Sequence, residues 1–337
     1  MVEIEYHTDL KEVQCDPVLG DLLARASQAG PFDRIAWWRL LARHCGLDPL
    51  LAVARDGDAM AALPLARQGD GLAALANWYT FRFRPILMPG ARSTELLRTL
   101  ASDLASRTER MTLAGLPDED GCATRLAEAF RAEGWFVVRE PCDVNHYLEV
   151  AGRTYADYLA GRPGKLRTTL KRKSGKVETR VLTRFDAAVW ADYEQIYAES
   201  WKPEEGSPDF LRAFAEAEGA AGRLRLGIAR ADGRAVAAQM WTIEAGVAWI
   251  HKLAHRESAR PLSPGSVLSA ALFRHVIDED RVETVDFGTG DDPYKRDWME
   301  AVRPRYRLSL LRPAAPRNWP DMAKFGLRRL AATVKRG

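Results

Sequence analysis

The sequence predicts a mixed α/β protein: a tandem of two related halves, each a central mixed sheet flanked by helices. The first observation behind this is an internal repeat at an offset of roughly 175 residues. LLAVARDGDAMAALPLAR from Leu50 matches LRLGIARADGRAVAAQMW from Leu224, with the same Ala-Arg and Asp-Gly signals between small-residue strands. In each copy there follow an aromatic strand (NWYTFRFRPILMPG or AWIHKLAHRE), a helical stretch (TELLRTLASDLASRTE or SVLSAALFRHVIDED) and a strand running to glycine (RMTLAGLPDED or ETVDFGTGDDP). The second observation is the alternation of strand and helix patterns along each half, which calls for a sheet covered by helices. The third is length. At 337 residues, 47% hydrophobic and 28% charged, the composition is that of a globular protein of two-domain size.

Taken in order, Val2–His7 alternates as a strand. Asp16–Gln28 and Asp33–His44 read as helices, the second carrying Trp37, Trp38 and Leu41 near one face. Leu50–Val53 and Ala59–Leu65 form a hairpin through Asp56-Gly57. Thr94–Arg107 and Ala123–Gly134 are helical, Gly134 marking the stop. Trp135–Val138 and Asn145–Val150 read as two strands. Thr154 is a candidate cap for a helix over Thr154–Leu159, and Arg167–Lys173, Val189–Glu199 and Pro208–Ala217 are further helices. The expected domains are 1–150, 151–312 and a C-terminal tail, 313–337.

Composition narrows the function. The net charge of +3 hides two basic stretches, Arg162 to Lys176 and Arg296 to Gly337. Cys15, Cys45, Cys122 and Cys142 are scattered without a Cys-x-x-Cys pair, so neither a metal site nor a disulfide framework is signalled, and reduced thiols in a cytoplasmic compartment are expected. MVEIEYHTDLKEV is acidic and alternating, unlike a signal peptide, and no apolar run reaches the roughly 18 residues of a membrane span.

The chemistry concentrates between Gly227 and Trp298. The loop PLSPGSVL opens a helix whose first amides lack internal partners, which makes Ser263, Pro264, Gly265 and Ser266 a candidate anion cradle. The segment TVDFGTGDDPYKRDW then brings Asp286, Tyr294 and Lys295 to a strand end. Acid–base groups beside an anion cradle suit group transfer from a phosphorylated carrier.

These residues resemble the GNAT acyltransferase superfamily, in its bacterial branch related to the Fem-type aminoacyltransferases. The resemblance covers about 155–312. It rests on Ser200-Trp201-Lys202, Lys252, Ser263-Pro264-Gly265, Asp286-Phe287-Gly288, Gly290, Tyr294-Lys295 and Trp298. It implies two GNAT-like domains, the first structural or acceptor-binding, the second catalytic. The phosphate loop is shorter than the superfamily's usual Gly-rich run, which leaves both acyl-CoA and acyl carrier protein as thioester donors; no metal is expected.

N-acyl transfer needs an amine deprotonated, a carbonyl oxygen stabilised and a thiolate protonated. The resemblance places the carbonyl at a splayed strand, here Val247–His255. Simple alternation puts His251 with Trp249, Leu253 and His255 on one face and Lys252 on the other. His251 is a candidate base. Asp286 is a candidate for taking a proton or orienting the acceptor ammonium, its competing role being to cap the following turn. Tyr294 is a candidate for protonating the thiolate and Lys295 for contacting phosphate or the oxyanion. Lys252, Gly288 and Gly290 join the cradle as donor-binding residues. Trp201 and Lys202 border the acceptor groove, with Trp78 and Tyr79 as candidates in the first half.

The tail from Trp319 to Arg336 sets Trp319, Met322, Ala323, Leu327, Leu330 and Val334 on one helical face. Lys324, Arg328, Arg329, Lys335 and Arg336 fall on the other. Such a helix docks on an anionic membrane or packs on its own domain, so residues 317–336 are a candidate membrane contact on the inner face. The expected activity is acyl transfer to an amine, such as a sphingoid-type lipid base or an envelope aminosugar. The alternatives are a Fem-type transferase using aminoacyl-tRNA, which alone among these readings calls for a nucleic-acid partner, and a non-catalytic binding module of the same fold.

Overall fold

In the computed structural model, residues 2–26, 30–90 and 92–334 are described, with side chains as far as Arg328. The chain divides into two units, Met1–Asp143 with Pro304–Gly337, and Val144–Arg303. The chain from Pro304 onward therefore belongs with the first unit.

The first unit begins with β1 (Glu3–His7), α1 (Leu10–Cys15), α2 (Pro17–Ala26) and α3 (Ile35–Cys45). The single helix expected at 16–28 is two, because Asp9 caps the first and Asp16 accepts from the amides of Val18 and Leu19 to start the second. Residues 27–29, which include Gln28, lie outside the described residues. Next come β2 (Asp48–Asp56), β3 (Ala59–Gln68), β4 (Gly71–Ala74) and the two-residue β5 (Ile86–Leu87). Then follow α4 (Arg92–Leu104), β6 (Arg110–Leu116), α5 (Cys122–Ala132) and β7 (Phe136–Glu149). The two strands expected over 135–150 are thus one long strand. Its residues from Val144 on fall in the second unit.

The second unit continues with α6 (Tyr155–Ala160), α7 (Gly164–Lys173), β8 (Glu178–Leu182), α8 (Ala187–Ala198) and α9 (Pro208–Ala220). Thr154 caps α6 in a full capping box with Asp157. There follow β9 (Leu224–Ala231), β10 (Arg234–Glu244), β11 (Val247–His255), α10 (Pro264–Arg274) and β12 (Thr284–Thr289). The short α11 (Lys295–Trp298) leads to β13 (Ala301–Leu311), and α12 (Trp319–Val334) closes the described chain. Sequence patterning missed β8, which is short and mostly exposed, and β13, where arginines alternate with other residues over Val302–Leu308.

Pairing exposes the repeat. In the first unit β1, β2, β3 and β4 are antiparallel neighbours in that order, β4 runs parallel to β6, and β13 lies antiparallel to β6. In the second, β8, β9, β10 and β11 are antiparallel neighbours, β11 runs parallel to β12, and β7 lies antiparallel to β12. The two hairpins correspond, but their turns differ. Asp232 and Gly233 both take positive φ (50° and 75°), whereas in the first copy only Gly57 does (59°). The counterpart of β11 is β4. The aromatic segment after Asn77, expected as that strand, is irregular until Ile86, so the exposed-strand reading of Asn77–Arg84 is corrected.

Each unit has its own core. Leu63, Leu97, Leu113, Phe130 and Leu308 are fully buried in the first. Tyr158, Trp241, Leu268, Phe273 and Val285 are fully buried in the second. In the first unit Phe83, 4% exposed, joins that core and its amide donates to the Gly115 carbonyl at 3.0 Å. Tyr79 and Phe81 are buried beside it in sequence. The chain at Phe83 therefore runs beside β6, beyond the residues where β4 and β6 pair, Leu72–Met111 and Ala73–Thr112.

α12 is anchored at its start: Asn318 is fully buried and bonds Arg110 and the carbonyls of Glu109 and Arg312. Beyond that anchor, Trp319 and Leu327 are 58% and 68% exposed. Leu330, Val334 and Arg329 have undescribed side chains, and Lys335 and Arg336 lie outside the described residues.

Candidate active site

In the second unit β11 and β12 are joined only over Val247–Trp249 and Thr284–Asp286, and then they part. Both strands are irregular at that point. On β11, Trp241 faces Ile250 and Met240 faces Lys252, so His251 is the extra residue of a bulge. On β12, the register against β7 shifts between Asp286 and Thr289, where Gly288 takes φ 69°.

The bulge changes which side chains share a face. His251 bonds Thr242 at 2.8 Å and meets Phe214 of α9 edge-on at 5.1 Å. Lys252 pairs with Glu205 at 2.7 Å and lies over the Tyr197 ring of α8. Leu253 and His255 face the other way, lining a cavity with the start of α10. The alternation expected from sequence, His251 with Leu253 and His255, is corrected: His251 and Lys252 both turn to the α8–α9 side because the bulge consumes one residue. Lys252, held in its ion pair, is not at the α10 cradle where the sequence reading placed it.

The α10 cavity, about 470 Å³, is lined by Ser263, Pro264, Gly265, Ser266, Phe287 and Tyr294 among others. Pro264 has no amide, and the first helical bond is Val267 N–H to Ser263 C=O, so Gly265 and Ser266 carry the opening amides of the helix. Buried Gln239 fixes this helix end: its amide donates to Gly265 C=O (3.0 Å) and Ser269 Oγ (2.8 Å), while its oxygen accepts from Trp241 Nε1 (3.0 Å). Gln239 was missed, although one amide inside the apolar run AVAAQMW is a readable signal. Trp201 packs over His255, ring centres 4.4 Å apart, and burial lowers the His255 imidazole so that it favours the neutral form.

Tyr294 lines the same cavity, 39% exposed and edge-on to Phe287 at 5.6 Å. Loss of hydration, then the carboxylate of Asp292, raises its phenol well above the ordinary value and keeps it protonated.

Two sequence candidates take other positions. Asp286 is fully buried; Oδ1 accepts from Asn145 Nδ2 (2.7 Å) and from Gly288 N–H (2.8 Å), and Oδ2 pairs with Arg303 (2.9 Å). Arg303 in turn donates to Asn145 Oδ1 at 2.7 Å. This carboxylate holds the Gly288 turn, the capping role, rather than facing an open space. Lys295 is 4% exposed and donates to the carbonyls of Thr289 and Gly290, so it clasps the loop instead of presenting charge to phosphate. Gly288 and Gly290, both at positive φ, shape the same loop. Asn145 and Arg303 were missed, since only the fold brings them to Asp286. Trp78 and Tyr79 belong to the first unit, where Trp78 is 66% exposed and Tyr79 is buried.

Residues 164–296 match the family model "Acetyltransferase (GNAT) domain". This stretch of the second unit is similar to a GNAT acetyltransferase domain. No curated protein matches the chain by sequence. Among solved structures, FemX superposes with a TM-score of 0.62 at 10% identity, covering 90% of this chain and 96% of that one. A C-terminal domain assigned to a lysylphosphatidylglycerol synthetase of Agrobacterium fabrum gives 0.58 at 13%, covering 86% and 92%. A tandem GNAT protein from the clavulanic acid biosynthesis pathway gives 0.53 at 15%, covering 91% and 98%. At such identities the likeness establishes the fold, a tandem GNAT arrangement. The parting of β11 from β12 and the start of α10 both lie within the matched residues.

Proposed function

We propose that the second unit transfers an acyl group from a thioester carrier to an amine by direct attack at the split between β11 and β12. The observation that carries this reading is the split itself, open toward the α10 amides on one face and toward α8 and α9 on the other. The phosphate-bearing arm of the donor lies at Gly265 and Ser266, where unsatisfied amides and the helix dipole favour an anion. The amine nitrogen bonds to the thioester carbonyl carbon, the carbon–sulfur bond breaks, Tyr294, still protonated, gives its proton to the departing thiolate, and the proton shed by the new amide nitrogen restores the phenol. A backbone amide of β11 beyond the bulge supports the oxyanion.

Acyl-CoA and acyl carrier protein both fit the donor role; the basic stretch 162–176 suits an acidic carrier. The acceptor is a lipid amine, such as a sphingoid-type base, or an envelope aminosugar. The lipid option is supported by the exposed Trp319 and Leu327 on α12, which suit an enzyme held peripherally at the cytoplasmic face. Among the described residues, no helix is long and apolar enough to cross a membrane. The fold shared with FemX and the synthetase domain supports a second reading, aminoacyl transfer from tRNA, which predicts RNA binding with a steep salt dependence. The test is mass spectrometry of amines after incubation with isotope-labelled acyl-CoA or acyl carrier protein. A labelled amide with concomitant thiol release supports the reading. Transfer from aminoacyl-tRNA alone replaces it with the second.

A further inference from the structure

On the opposite face of β11 from the α10 cavity lies a second cavity of about 590 Å³, lined by Trp190, Tyr193, Tyr197, Lys202, Glu204 and Glu205 among others. We propose that it binds the acceptor amine as its ammonium ion, together with an apolar body, and that Lys202 accepts the proton released before attack. The proposal rests on the acyltransferase reading above and adds to it the charge state of the acceptor and the identity of the base.

The walls carry the first half of the argument. Trp190 and Tyr193 lie 4.7 Å apart and Tyr197 follows at 6.0 Å, a wall of ring surface of the kind that attracts cations. Glu194, Glu204 and Glu205 supply three carboxylates. Lys252 is bonded to Glu205, Glu194 accepts from Trp190 Nε1 at 2.8 Å, and Glu204 lines the space together with Lys202.

Position carries the second half. Lys202 lines this cavity while its chain neighbour Trp201 packs on His255, which lines the α10 cavity. The charges acting on it are those of Lys252 and His255 from β11, Asp292 and Lys295 from the segment after β12, and Glu205, while Tyr197, Glu194 and Glu204 share its cavity. Burial first, and the charge of Lys252 second, bring its ammonium down to about 8, against the pull of Glu205 and Asp292. A lysine so placed is partly neutral in mildly alkaline solution. It takes the proton from R–NH₃⁺, becomes the ammonium, and leaves R–NH₂ with the lone pair that attacks the acyl carbon.

The probes are 2-phenylethylammonium and acetyl-CoA, with the full chain and its Lys202→Arg, Lys202→Gln and Glu204→Gln variants. Tryptophan fluorescence should report saturable binding of 2-phenylethylammonium, weakened several-fold in Glu204→Gln. Reductive ¹³C-methylation should show one lysine titrating near pH 8, absent in Lys202→Arg. With acetyl-CoA, kcat/KM should rise with pH through about 8 and fall again as the free amine loses its own proton. In Lys202→Arg the lower limb should vanish with a loss of roughly 10²-fold, the donor KM being unchanged. Wild-type activity and pH profile in Lys202→Arg would overturn the assignment of the base, and binding unaffected by Glu204→Gln would overturn the cavity. Binding without thiol release would leave the cavity standing and count against the acyltransferase reading instead.

Discussion

Two side chains adjacent to the same turn are set for different work by their surroundings. Asp286 has no exposed surface and spends both oxygens on Asn145, Gly288 and Arg303. Removing its charge breaks the ion pair with Arg303, and breaking one side of a buried pair costs about 3 kcal/mol. Asp286→Asn should therefore lower unfolding free energy by about that amount in urea titrations, while kcat of the folded enzyme stays within about tenfold of wild type. A loss of 10³-fold at unchanged stability would restore Asp286 as a proton carrier. Tyr294, by contrast, opens on the cavity with its proton held firmly. Tyr294→Phe should lower kcat by about 10²-fold with little change in donor KM, measured by thiol release. Because its pKa is raised, the tyrosine contributes no alkaline limb to the wild-type profile over the ordinary assay range.

Among the elements, α10 and β11 set the geometry. α10 starts at Ser263, which adopts φ 52°, and Gln239 ties its first turn to β10. A Cβ on Gly265 would lie 3.4 Å from His255 Nδ1, already tight, and a longer side chain would enter the cavity. Gly265→Leu should raise the donor KM by at least about tenfold, with the acceptor KM little changed in steady-state kinetics; the bulk removes binding shared by ground and transition states. An unchanged donor KM would place the donor elsewhere. The bulge at His251 does for β11 what the glycines do for β12: it ends the pairing and frees backbone groups at the split.

Across the whole molecule, one strand order is used twice. The first unit repeats the strand order and the parallel step, yet there the buried Phe83 bonds β6 at Gly115, beyond the parallel pairs. The same unit carries α12, whose anchor at Asn318 leaves Trp319 and Leu327 outward. If this face meets lipid, full-length protein should float with anionic vesicles at low salt, helped by about 1 kcal/mol for each nearby cation. The double change Trp319→Ser, Leu327→Ser should release it without altering turnover of a short soluble amine. Failure of the wild type to float would make α12 a packing element.

The sequence by itself determined what depends on local order. Asp-Gly turns, the Thr154 cap, helical periodicity and small-residue strands are set by a few neighbouring residues, so the repeat, the class of fold and the loop–helix junction at Ser263–Ser266 were legible. It also singled out Asp286, Tyr294 and Lys295, which lie on or just after β12. Only the tertiary structure decided which of them faces open space. Asn145 and Arg303 reach Asp286 from distant positions in the chain, and the Thr289 and Gly290 carbonyls claim Lys295. A single bulge likewise moved His251 to the face of Lys252, which a period of two could not foresee. The reason is physical: burial and partnership fix what a charged side chain can do, and both are properties of neighbours that the chain brings together only when folded.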